Sequence, residues 1–241
     1  MKVNKRRVRA IVRKELREYR RNRSLVIGTM SVLPLIFVIQ PLIQVFALPA
    51  SASSTLEHEH PLLYMLSIPA IVPVLVAAYS VVGERQQGTL EPVLTTPIRR
   101  EELLLGKALA TLIPSVAIAY AVYAFFLVCV ELFARPGVAP ALVRGPDILA
   151  QLIFTPLIAT WSIWIGIAIS ARSSDVRVAQ QLGMLASLPT VAVTTLIAFN
   201  VIHATLGLAL GLAAVLLLAN RLGWRITSAM FDRERLITST K

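Results

Sequence analysis

Apolar runs separated by short charged connections constrain this chain most. A helix needs about 20 apolar residues to cross a hydrocarbon core. The sequence offers about six such runs, near residues 24–48, 62–82, 108–131, 148–171, 176–198 and 204–222. The last two are separated only by residues 199–203, where Asn200 and His203 mark a turn. Charged residues are 15% of the total, against about a quarter in a soluble domain. The expected fold class is therefore all-α: a polytopic membrane protein with six transmembrane helices.

The basic residues set the orientation. Residues 1–23 carry eleven Lys and Arg, residues 83–107 four, and the tail from Arg221 five. Arg172 and Arg177 flank the connection before the fifth run, and the connection at residues 49–61 has no Lys or Arg. Alternate connections hold 22 and 2 of the 24 bases. The positive-inside bias then places both termini and residues 83–107 in the cytoplasm. The implied organisation is an arm over 1–23, a membrane domain over 24–222 with a cytoplasmic insert at 83–107, and a tail over 223–241. The first apolar run is too long for a signal-peptide core, so it reads as a span.

Within the arm, Val8, Ile11, Val12, Leu16 and Tyr19 share one helical stripe, with Arg and Lys on the other faces. This predicts an amphipathic helix lying in the membrane surface. A solvated basic helix that only sets topology is the other reading. No nucleic-acid motif accompanies the charge.

No Asp, Lys, Arg or His falls near the middle of a run, which disfavours an ion-coupled carrier, the alternative transporter class. No HExxH or GxSxG motif points to an intramembrane hydrolase. Pro34, Pro41, Pro69, Pro73, Pro114, Pro156 and Pro189 lie within the runs and favour bent helices. Gln40 and Gln44, one turn apart, are candidates to line a pathway or bond a neighbouring helix. Gly207 and Gly211 form a GxxxG that permits close helix packing. The acids and histidines at 57–60 match no closed metal site, and no metal is expected. Trp161 and Trp164 read as packing, and Trp224 as an interfacial anchor. The single cysteine, Cys129, excludes an intrachain disulfide.

The insert reads "GERQQGTLEPVLTTPIRREELLLGK". Glu84 to Gln87 can extend the second span as helix, and Gly88 is a natural stop. Thr89 can cap a short helix with Glu91 in its first turn. Thr96 and Pro97 read as a second start that continues into the third span. Several stop and start signals so close together point to a docking surface, with the bend at Gly88.

That stretch resembles the signature region of ABC-2 type permeases, the membrane subunits of one class of ATP-binding cassette transporters. The similarity rests on Glu84, Gly88, Thr89, Leu90, Glu91, Leu94, Pro97, Glu102, Leu103, Gly106 and Lys107. The basic arm, "AQQLG" at 179–183 and "FDRER" at 231–235 are also similar. Arg99 departs from the family pattern, where Ser or Thr is common, and the joint between the last two spans is unusually short. The resemblance implies an ATP-driven transporter, usually an exporter, of two six-span subunits and two ATPase subunits. It implies that Glu84, Arg85, Gly88, Thr89 and Glu91 sit at the ATPase contact. Gly106-Lys107 is followed by Ala108 and lacks the glycine of a phosphate-binding loop. The chain is therefore expected to be no enzyme and to hold no cofactor, with ATP and Mg on a partner ATPase. A second permease subunit, identical or paralogous, and the lipid bilayer of the cell membrane complete the expected partners.

Overall fold

The computed structural model describes residues 4–23, 25–47, 60–88, 98–134, 139 and 142–230. It is all-helical, with no strand among the described residues. The helices are α1 (Lys5–Arg21), α2 (Leu33–Ala47), α3 (Pro61–Tyr64), α4 (Ser67–Gln86), α5 (Arg100–Phe133), α6 (Gly145–Arg172), α7 (Val176–Ala198) and α8 (Leu206–Met230). Among the described residues, five helical stretches are long and apolar enough to cross a membrane: Leu62–Gln86, Arg100–Phe133, Gly145–Arg172, Val176–Ala198 and Leu206–Met230. The expected first span is different. A π-helical stretch, Leu25–Val32, precedes α2, and Pro41 lies inside α2.

The expected helix boundaries shift for local reasons. α5 begins at Arg100, where Glu102 folds back to accept the Arg99 N–H (3.3 Å), and the start expected at Thr96-Pro97 lies outside the described residues. α8 runs on to Met230, so Trp224 does not lie past its end. Its ring instead meets Trp164 edge-on at 5.5 Å between centroids. Between α7 and α8 the chain turns at Asn200, which adopts a left-handed φ of 54° that asparagine tolerates well.

Helix α4 is the hub, buried along most of its length between α5, α6 and α7. Its contact with α6 depends on Gly166, where a Cβ would lie 2.6 Å from the Val74 carbonyl oxygen. One turn further on, Ser170 Oγ donates to the Ala78 carbonyl (2.6 Å) and accepts the N–H groups of Val81 and Val82 (3.0 Å each). Ser170 ends a buried polar stripe on α6 that begins with Asp147, Gln151 and Thr155. Small and polar side chains allow such close approach in a medium with no water.

The two ends of this pair are also fastened. At one end, His60 Nδ1 lies 2.9 Å from Asp147 Oδ1, and the His60 N–H donates to the Ala198 carbonyl (2.8 Å). At the other, Arg85 donates to the carbonyls of Ser173 (2.9 Å) and Ala171 (3.3 Å). This satisfies carbonyls left open at the C-terminal end of α6.

Gly207 and Gly211 do not provide the expected close packing within the chain, since nothing lies within 4 Å of a Cβ at either. Gly223 does so on the same helix, where a Cβ would lie 2.9 Å from Trp164. The side chains of Gln40 and Gln44 lie outside the described residues, as do Glu57, His58 and Glu59.

Gly166→Val should therefore lower stability by about 1–3 kcal/mol through overpacking. Gly207→Ala should change it by no more than about 0.5 kcal/mol. Thermal unfolding of the detergent-solubilised chain measures both, and equal effects would contradict the packing described.

Candidate coupling site at the base of the bundle

The arm is a helix because Asn4 caps it, its side chain accepting the Arg6 N–H (3.0 Å), and because strong helix formers follow. Its stripe is amphipathic as expected, but that face meets protein. Val8, Ile11, Glu15 and Tyr19 are buried, with Val12 and Leu16 half-buried beside them. The expectation that this face rests on the bilayer is thus corrected: α5 and α4 cover it.

α1 runs beside the first turns of α5. The Asn4 N–H donates to Glu102 Oε1 (2.9 Å), and Arg7 reaches Glu102 Oε2 (3.4 Å). Ile11 sits against Gly106, where a Cβ would lie 2.6 Å from Ile11 Cγ2. Tyr19 OH bonds Thr111 Oγ1 at 3.0 Å. A side chain at Gly106 would push the arm away.

At the centre is Lys107, whose side chain is 0% exposed. Its ammonium donates to Glu15 Oε1 (3.0 Å) and to the Ser80 carbonyl (2.8 Å), and it lies 2.8 Å from Glu84 Oε2. Two of its N–H donors thus have hydrogen-bond acceptors, and the Glu84 carboxylate adds a close ion pair. Lys14 covers the cluster from the arm, paired with Glu84 and with Glu18 (3.1 Å). One network of ion pairs therefore ties together the arm, the end of α4 and the start of α5. The carboxylates of Glu15, Glu18 and Glu84 converge to within 4.8 Å, as metal ligands would. Two lysine ammoniums lie among them, so lysine offsets most of the charge of this donor set.

The electrostatics follow from position. Burial pushes the Glu15 carboxyl up, Lys107 pulls it down, and the neighbouring Glu84 charge adds to the rise, leaving it above the usual carboxylate range. Burial pulls the Lys14 ammonium down, but its hydrogen bond to Glu84 and the surrounding carboxylates outweigh this and hold it above the ordinary lysine value. Burial pushes the Tyr19 hydroxyl up, so it stays protonated.

The site residues proposed from sequence separate into three groups. Glu84 is buried under the arm, and Arg85 is engaged with the end of α6. In this conformation neither offers its charged group freely to a partner. Gly88 is exposed, has φ 68°, and follows the last turn of α4, so the stop expected there is present. Thr89 and Glu91 lie outside the described residues. Glu15 and Lys14 were not singled out from sequence. The available signal was Glu15 itself, an acid in the middle of an apolar stripe, which requires a buried cation opposite.

The family model described as "ABC-2 family transporter protein" matches residues 9–221. This chain belongs to the ABC-2 transporter family. The match begins within the arm and includes Lys14, Glu15, Glu18, Glu84 and Lys107, but not Asn4 and Arg7. A search of curated proteins returns no match. Family members are membrane subunits of ATP-binding cassette transporters, and the five apolar helices agree with a multi-pass membrane protein.

Lys107→Met should cost about 3–5 kcal/mol, because it removes the hydrogen-bonded cation of buried Glu15 and leaves Lys14 to face two buried carboxylates. Limited proteolysis should then cut within residues 1–23, and a protected arm would contradict the clasp. Glu15→Gln should be neutral or stabilising at neutral pH. A carboxyl whose folded pKa is raised opposes folding while ionised, and that opposition fades as pH falls through the raised value. Any advantage of Glu15→Gln should therefore shrink on acidification, read from unfolding midpoints across pH.

Proposed function

We propose that this ABC-2 family protein is the permease subunit of an ATP-driven exporter. In this reading it crosses the cell membrane six times, α2 and the preceding π-helical stretch forming the first span, with both termini cytoplasmic. Two permease subunits, identical or paralogous, enclose the substrate pathway. A separate ATP-binding subunit carries the ATP and Mg chemistry, and this chain catalyses nothing.

The observation that supports the reading most is the Lys107 cluster. It makes the arm, α4 and α5 one mechanical unit at the end of the bundle where the insert after Gly88 begins. A partner that pushes on either the arm or the insert then moves two long helices together. ATP binding performs work only if it favours one membrane arrangement over another, and a rigid base carries that difference inward. Glu84 acts here from inside the clasp, while Gly88, Thr89 and Glu91 contact the partner.

The test is co-expression with an ATP-binding subunit encoded nearby, followed by purification and reconstitution. The wild-type chain should retain the ATPase and stimulate its turnover. Glu102→Gln, which loosens the arm without stranding a buried charge in the central cluster, should keep the complex assembled but lower transport per ATP several-fold. Failure of any such ATPase to co-purify, or transport that persists when its hydrolysis is abolished, would refute the assignment.

A further inference from the structure

The face of α1 turned away from the bundle carries Arg6, Arg9, Arg13, Arg17 and Arg20, all exposed. At 3.6 residues per turn they fall within about 80° of the helix circumference. None has an acidic partner among the described residues. The acids of the arm, Glu15 and Glu18, are held by Lys107 and Lys14 on other faces.

The neighbours of this stripe show which way it points. One edge adjoins Val12 and Leu16, which pack against the cluster of Tyr19, Met30, Val76 and Ala110, and so toward the apolar depth of the bundle. The opposite side of the helix holds Arg7 and Lys14, which meet Glu102 and Glu84 near the polar ends of α5 and α4, and Glu18, which pairs with Lys14. The stripe thus lies laterally, on the membrane side of the arm rather than on its polar underside.

Its level agrees. α5 has 34 residues and is about 51 Å long, whereas a hydrocarbon core is about 30 Å thick. A length of about 20 Å must project beyond the core at its ends, and the arm lies along the first turns, from Glu102 to Thr111. That is where headgroup phosphates lie.

We propose that this arginine stripe binds the headgroups of anionic phospholipids. Guanidinium groups pair with phosphate oxygens in a two-point geometry, and a row of them about 21 Å long would engage several headgroups at once. The inference rests on the arm lying at the cytoplasmic membrane face, as proposed above, where anionic lipid is concentrated. The bilayer contact of the arm is thus ionic and made by the face beside its apolar stripe.

The experiment uses the full chain in neutral detergent, titrated with short-chain phosphatidylglycerol, phosphatidylcholine or inorganic phosphate. Bound lipid is read by native mass spectrometry and stability by thermal unfolding. The wild type should retain phosphatidylglycerol in preference to phosphatidylcholine. A triple variant, Arg9→Gln with Arg13→Gln and Arg17→Gln, should bind it on the order of 100-fold more weakly. Its unfolding midpoint without anionic lipid should match wild type, since these side chains are exposed. The triple Lys variant should keep most of the binding. Equal retention of both lipids, unaltered binding by the Gln variant, or equal stabilisation by inorganic phosphate would overturn the proposal. So would loss of the ATP-binding subunit from the Gln variant while its lipid binding is intact, which would make the stripe a protein contact. Protease access to the arm in sealed vesicles tests its sidedness separately.

Discussion

A buried ammonium group organises the base of this protein. Lys107 has no exposed surface, and an unpaired charge there would not be tolerated. It must therefore be met from several sides, and the elements that meet it are the arm through Glu15, and α4 through Glu84 and the Ser80 carbonyl. The docking of α1 follows from this need together with the notch at Gly106. So does the burial of Glu84, in a stretch that otherwise reads as exposed and charged.

Much of the architecture is legible in the sequence because bilayer physics is severe. Length and apolarity mark the runs that became α4 to α8, and the turn at Asn200 falls where two polar residues interrupt them. The stop at Gly88 is legible for a similar reason, since few residues other than glycine adopt its φ readily. The first run was legible as apolar but not as a π-helical stretch followed by a helix containing Pro41, because periodicity does not separate these forms.

The site was less legible, since its chemistry depends on partners distant in sequence. Lys107 and Glu15 are 92 residues apart, and Asn4 and Glu102 are 98. An amphipathic stripe shows that a face is covered but not by what, so the arm's apolar face suits a bilayer and a protein groove equally. The same ambiguity affects glycines. Gly207 and Gly211 have the better-known spacing, yet Gly166 and Gly223 make the close contacts, because the large or backbone atoms opposite them lie on other helices.

The fastening of α4 to α6 has a mechanical meaning. His60 and Asp147 hold one end, Arg85 holds the other, and Ser170 pins the backbone between them. Two rods joined at both ends and along their length behave as a single beam. Such a beam resists sliding and bending, so a displacement applied at one face of the membrane arrives at the other nearly undiminished. A change of shape in this molecule is accordingly the tilt of a stiff spar against its neighbours.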